Sequence, residues 1–503
     1  MRTDKSIKNS VSNVFFTLLI GIIGLIKVKV FVNGLNNDIY SLNQLFYQIF
    51  SYIVITDIGF GLILNKQLYN AFAVDDYEKI NKIYSTSKRF YNIVGLIMMI
   101  IALILSFFVR FLTKANISPL YMQIIFIIFI FRNVVDYFFV APRYVLEADQ
   151  KIYKVNHYVK SIKIIESVVE IILVLLGVDY FFVIIPGIFI TIVIDIFVNN
   201  KIYKMYPWLK SDKTFNFKYL KGTKDVIWRK IAGLLNSNTD IILISAFINP
   251  ISVIIYTSYV YITKFITDTV YMISSSLTPS FANVAFKEKS DKMYGVFTEL
   301  NILFLFIASF VFIMLYGFLN SLITFWVGGE YLVNNFVLFL FCFSAFQVIA
   351  EKPLAIFING VGLFKETKVS TIMEAVLNLI ISLLLIGKIG IAGVLLGTII
   401  SKLLTTSIQN AIYIYKNKFN KPGYKYFILY YSVIFISLGF ISMFNILNLN
   451  ITNIAFWIIY VFIFAVAVAI LLFLIFYLFY GSFRMLVSRG LSFFKKLILE
   501  KNV

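Results

Sequence analysis

The stretches Lys160–Gly177 (KSIKIIESVVEIILVLLG) and Lys368–Leu385 (KVSTIMEAVLNLIISLLL) organise the whole chain. At an offset of 208 they agree at 7 of 18 positions, among them Lys160/Lys368, Glu166/Glu374 and Val168/Val376. Aliphatic matches are cheap in an apolar chain; the Lys and Glu matches are not. Each stretch is long enough to begin a bilayer crossing, which needs roughly 20 apolar residues. Each then continues through a short turn into another apolar run. A weaker echo pairs Phe31–Leu42 with Leu243–Ile254 at an offset of 212. Repeats at this scale set an architecture: two parallel copies of one six-helix unit, related by an axis along the membrane normal.

Working outward, apolar runs between charged or turn-forming punctuation give fourteen spans. They are 10–32, 40–64, 89–112, 119–142, 161–178, 180–200, 226–248, 251–278, 296–326, 332–358, 368–387, 389–412, 426–447 and 453–481. The expected fold is an all-α integral membrane protein with two pseudo-symmetric six-helix lobes, two extra C-terminal helices and a central cavity. The expected divisions are 1–202 for spans 1–6, 203–415 for spans 7–12, and 416–503 for spans 13–14 and a cytoplasmic tail. The segment Met1–Val32 reads as a retained first span rather than a cleaved signal.

Composition agrees. Of 503 residues 60% are apolar and 14% charged, against about 45–50% and about 25% in soluble domains. This excludes a soluble enzyme, a disordered chain and a nucleic-acid-binding domain. The net charge of +20 is explained by where the cations sit. With the N-terminus cytoplasmic, inner segments hold 36 of the 45 Lys and Arg, outer loops hold Arg110, Lys114 and Lys388, and spans hold six. This is the positive-inside pattern, with both termini cytoplasmic.

The charges inside spans are the functional clue, since each costs about 2.5–3.5 kcal/mol at the bilayer centre. The cations are Lys27, Lys29, Arg132, Lys264, Lys352 and Lys402. The acids include Asp57, Asp136, Glu166, Glu170, Asp195, Asp240, Asp268, Glu299, Glu351 and Glu374. Arg132 and Asp136 stand four apart in span 4, as do Lys264 and Asp268 in span 8. Each pair is a neutralising bridge or a cationic centre steadied by its carboxylate. Lys27 is expected to bridge Asp240 or to serve as a cavity cation, and Lys29 to snorkel outward. Asp57, in Thr56-Asp57-Ile58-Gly59-Phe60-Gly61, caps a helix end or couples an ion. Lys352, Lys402, Asp195 and Glu299 are expected at solvated span ends.

Catalysis has little to work with. His157 is the lone histidine, Cys342 the lone cysteine, and no phosphate-binding glycine loop of the nucleotidase kind occurs. No metal site or cofactor is expected. Gly393-x-x-x-Gly397 reads as close helix packing. Short outer loops disfavour a membrane-embedded polymerase or ligase.

The chain resembles the polysaccharide-biosynthesis flippases of the multidrug/oligosaccharidyl-lipid/polysaccharide superfamily. The resemblance rests on Asn236–Ser245, Leu322–Gly328, Asn359–Lys365, Glu374–Leu379, Gly390–Thr398 and the Asp57-Ile-Gly59 turn, and extends over nearly the whole chain. It implies a bacterial cytoplasmic-membrane monomer that moves undecaprenyl-pyrophosphate-linked oligosaccharide outward by alternating access, for O-antigen, capsule or exopolysaccharide. The path would follow the lobe interface. Lys27, Lys29, Arg132 and Lys264 would hold the pyrophosphate. Asp57, Asp136, Asp240, Asp268, Glu166 and Glu374 would couple H+ or Na+, or pair charge. A polysaccharide polymerase and other assembly proteins would be partners, and no nucleic acid. A MATE-type multidrug or cation antiporter is the alternative.

Overall fold

Helix accounts for nearly all of the chain, and among the described residues there is no strand. The computed structural model describes residues 2–54, 60–212, 215–216, 219, 239–447 and 453–501. Asp57 and most of the expected span 226–248 lie outside the described residues.

Two compact units divide the chain, Met1–Ile254 and Ile255–Val503. The first contains α1 (Arg2–Gly34), α2 (Asn37–Ile53), α3 (Phe60–Phe72), α4 (Tyr77–Ser106), α5 (Pro119–Val134), α6 (Ala141–Ala148), α7 (Tyr153–Leu175) and α8 (Tyr180–Met205). A further helical stretch, α9, covers 239–247. Here α1 packs on α7, α7 on α8, α5 on both α4 and α8, and α3 on α6. Next come α10 (Pro250–Lys287), α11 (Ser290–Trp326), α12 (Asn335–Ala350), α13 (Lys352–Val361), α14 (Lys368–Ile389), α15 (Ile391–Lys402), α16 (Ile408–Lys418), α17 (Tyr424–Leu447), α18 (Ile454–Phe479) and α19 (Gly481–Lys501). In the second unit α14 packs on α15, and α11 packs on α12, α17, α18 and α19.

Helix starts follow local chemistry. Ser118 caps α5 ahead of Pro119, and Asp76, Asn334 and Asn453 accept backbone N–H groups at the starts of α4, α12 and α18. Such caps satisfy donors that the first turn leaves orphaned. One residue, Gly390, joins α14 to α15 with φ +58°, a backbone region open to glycine at little cost.

Nine helical segments among the described residues are long and apolar enough to cross a membrane. Helices α1, α7 and α10 also have spanning length, with 33, 23 and 38 residues, and each carries several charges. The outer faces suit lipid. On α18 only Val468, Leu472 and Phe476 are buried, a four-residue repeat forming one seam. Phe456, Phe462 and Phe479 on the same helix are about 70% exposed. A soluble protein rarely leaves so continuous an apolar face in water.

Two expected spans are broken. Span 119–142 becomes α5, a 3-10 turn at Val135–Phe138, and α6; span 332–358 breaks at Glu351 between α12 and α13. Pro142 and Pro353 sit in the first turn after each break, where a missing N–H does no harm. A second irregularity is the π-helical turn Leu403–Ser407 between α15 and α16, a feature frequent at functional sites.

Candidate functional site

In the first unit, α1, α5 and α7 bring four opposite charges together. Lys27 of α1 forms an ion pair with Glu170, and Arg132 reaches both Glu170 and Glu166. The Arg132 Nη2 to Glu166 Oε2 distance is 2.8 Å. The other Glu166 oxygen accepts from the Thr191 hydroxyl of α8 at 2.9 Å. Side-chain exposure is 7% for Arg132, 2% for Glu170, 13% for Glu166 and 17% for Lys27, so the set is screened little by water. Gly187 of α8 makes room: a Cβ there would stand 2.2 Å from Arg132 Nε. The Lys27 ammonium also lies 5.0 Å from the centroid of Phe31.

Two cations and two carboxylates cancel. A buried pair recovers its desolvation only through such geometry, and removing one member strands another. The network therefore holds its shape through mutual pairing. Chemically it is a set of buried cations, each held by carboxylates of the same unit.

Arg132 does not pair with Asp136. Helix α5 ends at Val134, and the 3-10 turn swings Asp136 off the face that i,i+4 spacing assumes. Asp136 meets Arg143 of α6 at 2.8 Å, and Arg143 also bridges Asp195 of α8. Asp195, expected at a solvated end, is fully buried there. Glu299 is likewise buried and binds Arg489 of α19 at 2.9 Å. Lys27 takes Glu170 rather than Asp240, because α7 lies against α1. Asp240 is buried and Lys29 exposed.

In the second unit, Lys264 and Asp268 are 3.8 Å apart on α10, with side chains 66% and 61% exposed in the chain. The i,i+4 pair expected from the spacing therefore forms, with both side chains exposed. Glu351, at the break between α12 and α13, accepts from Ser407 of the π-turn and lies 3.5 Å from the Lys402 ammonium. Glu374 of α14 accepts from Thr406 of the same turn at 2.6 Å. Lys352 sits 4.9 Å over the ring of Tyr271. Sequence reasoning missed Arg143 and the pairing of Glu351 with Lys402. The signal was available in Pro142 and Pro353, which mark helix restarts and hence polar backbone to be satisfied.

No family model matches the sequence, and no curated protein matches it either. Solved structures do match. A lipid II flippase MurJ in an inward closed conformation superposes with TM-score 0.66 and 14% identity, over 92% of this chain and 98% of the other. An inward-facing multidrug resistance MATE family transporter of the MOP superfamily gives TM-score 0.55 and 13% identity, over 84% and 95%. The class is therefore defined by architecture: a multi-pass helical membrane protein. More particularly, the chain has the fold that the MurJ flippase shares with MATE transporters.

Proposed function

We propose that this protein is a flippase for undecaprenyl-pyrophosphate-linked oligosaccharide repeat units. It moves them from the inner to the outer leaflet of a bacterial cytoplasmic membrane by alternating access, supplying a cell-surface polysaccharide. The observation that carries the reading is the buried Lys27–Arg132–Glu166–Glu170 network within this fold. Phosphate oxygens suit Arg132, whose two Nη atoms already engage two carboxylates.

The mechanism follows from charge conservation. A coupling cation, H+ or Na+, arriving at the network offsets one internal anion. The released cation then takes a phosphate oxygen, so the interior never holds a large net charge. Loss of that cation reinstates the internal pair and expels the head group. H+ or Na+ is the coupling ion, with Asp57, Asp136 or Asp240 as further candidate coupling carboxylates. Lys264, exposed on α10, is the cation best placed to meet the head group before it is desolvated. The polyprenyl tail stays in hydrocarbon throughout. Basic loops hold both termini in the cytoplasm, and the protein acts as a monomer beside a polysaccharide polymerase.

The test is a deletion strain complemented with Lys264→Gln, which leaves the buried network intact. Surface glycan is lost in the deletion strain, with lipid-linked units retained on the inner leaflet, and the variant restores little of it at normal protein level. Normal glycan in the deletion strain overturns the reading. Normal glycan together with hypersensitivity to cationic drugs identifies the multidrug antiporter instead.

A further inference from the structure

A cavity lies in the first unit, lined by residues other than those of the Lys27–Arg132 network. It has a volume of about 250 Å³ and is lined by Tyr84 and Lys88 of α4, Phe138 and Phe139 of the broken segment, and Asn199 and Tyr203 of α8. Its hydrogen-bonding groups are incompletely used. Asn199 is 9% exposed; its Nδ2 donates to the Phe139 carbonyl at 3.0 Å, while its buried Oδ1 has no partner among the described residues. A buried acceptor without a donor is rare in native proteins. Tyr84 and Tyr203 share one hydrogen bond at 2.7 Å, which leaves one phenolic O–H to donate elsewhere. Lys88 has no carboxylate in ion-pair range among the described residues. The cavity therefore offers a cation and an O–H donor, and asks for one donor in return.

We propose that this cavity binds the head group of a membrane phospholipid whose phosphate carries a nearby hydroxyl or amine. The phosphate faces Lys88 and the phenol, and the head-group donor reaches Asn199 Oδ1. The size fits: the volume equals that of roughly eight waters, enough for a glycerophosphate head. The surroundings favour a lipid over a free phosphate ester. Ile196, which also lines the cavity, is 46% exposed, and Val193 and Phe197 beside it on α8 are 65% and 52% exposed. An acyl chain continuing from the head group would lie along them. Lys79, Lys82, Lys88 and Arg89 lie in the first half of α4, and Lys201 and Lys204 at the end of α8, the side that the positive-inside pattern gives to the inner leaflet. The proposal does not depend on the transported cargo.

Purified full-length protein in neutral detergent, titrated with phosphatidylglycerol, phosphatidylethanolamine or phosphatidylcholine, tests it by thermal shift. Phosphatidylcholine has the phosphate without a head-group donor. The expected result is stabilisation by the first two at concentrations roughly tenfold below those needed for phosphatidylcholine, the factor for about one extra hydrogen bond. Lys88→Gln weakens binding of all three. Asn199→Leu removes only the preference over phosphatidylcholine. Lys416→Gln, an exposed lysine of the second unit, leaves both effects unchanged. Glycerol phosphate without acyl chains acts far more weakly; an equal shift would keep the site and make its ligand a soluble phosphate ester. Equal shifts for the three lipids in the native protein, or equal losses in Lys88→Gln and Lys416→Gln, overturn the proposal.

Discussion

Helices α7 and α14 carry the two copies of the repeat, and the same glutamate position does different work in each. On α7, Glu166 holds a guanidinium from α5 and a threonine hydroxyl from α8; one turn on, Glu170 holds Lys27 and Arg132. On α14, Glu374 keeps the hydroxyl contact, to Thr406, while the residue one turn on is Asn378, which donates to Thr398 Oγ1 at 2.9 Å. Glycine use differs too. Gly187 clears space for a guanidinium, whereas a Cβ on Gly393 would come within 2.6 Å of the Leu385 backbone carbon. The first unit holds its helices apart enough to house charge. The second brings α14 and α15 into backbone contact and gathers its charge, Glu374 with Glu351 and Lys402, around the π-turn. One repeated pattern thus supports a doubly paired buried network or a tight helix seam with a single cation, according to the two or three residues packed against it.

The sharpest attack on this contrast is Arg132→Leu. It strands the Glu166 carboxylate, leaves Glu170 to Lys27 alone and should cost about 3–5 kcal/mol, read as a thermal melt of the purified protein. Replacing all four charges with apolar residues of similar volume should recover most of that loss and still abolish glycan export. Failure to recover would mean that the network is shaped by more than its charges. Next, Glu166→Gln should cost about 2 kcal/mol through a weakened charged hydrogen bond, while Glu374→Gln should stay within about 1 kcal/mol, because an amide oxygen still accepts from Thr406. Equal costs would erase the distinction between the units. Gly393→Ala should cost about 1–3 kcal/mol by forcing backbone apart, and closer cross-linking distances between α14 and α15 in the native protein would corroborate it. Lys264→Gln should change stability least, within about 0.5 kcal/mol for an exposed i,i+4 pair, while still reducing export.

Much of the candidate site was present in the sequence as a list of residues rather than as contacts. The equivalence of Glu166 and Glu374 was legible because a repeat offset needs no three-dimensional knowledge. The partner of Arg132 was not, since local spacing favoured Asp136, and that inference assumed a helix that ends one turn too early. Asp195 was misjudged for a related reason. Its place near the end of an apolar run suggested water, but Arg143, delivered by the restart after Pro142, covers it.

Apolar runs of bilayer length, a repeat, and basic residues gathered in alternate loops are one-dimensional properties. They suffice for helices, a membrane and a doubled architecture, because the bilayer forces each backbone polar group to be satisfied within its own segment. Which charge meets which is a property of packing. It depends on a 3-10 turn at 135–138, a glycine opposite a guanidinium and the approach of α1 to α7. Those arise only when side chains from distant segments compete for the same few ångströms, where desolvation makes every unpaired ion expensive.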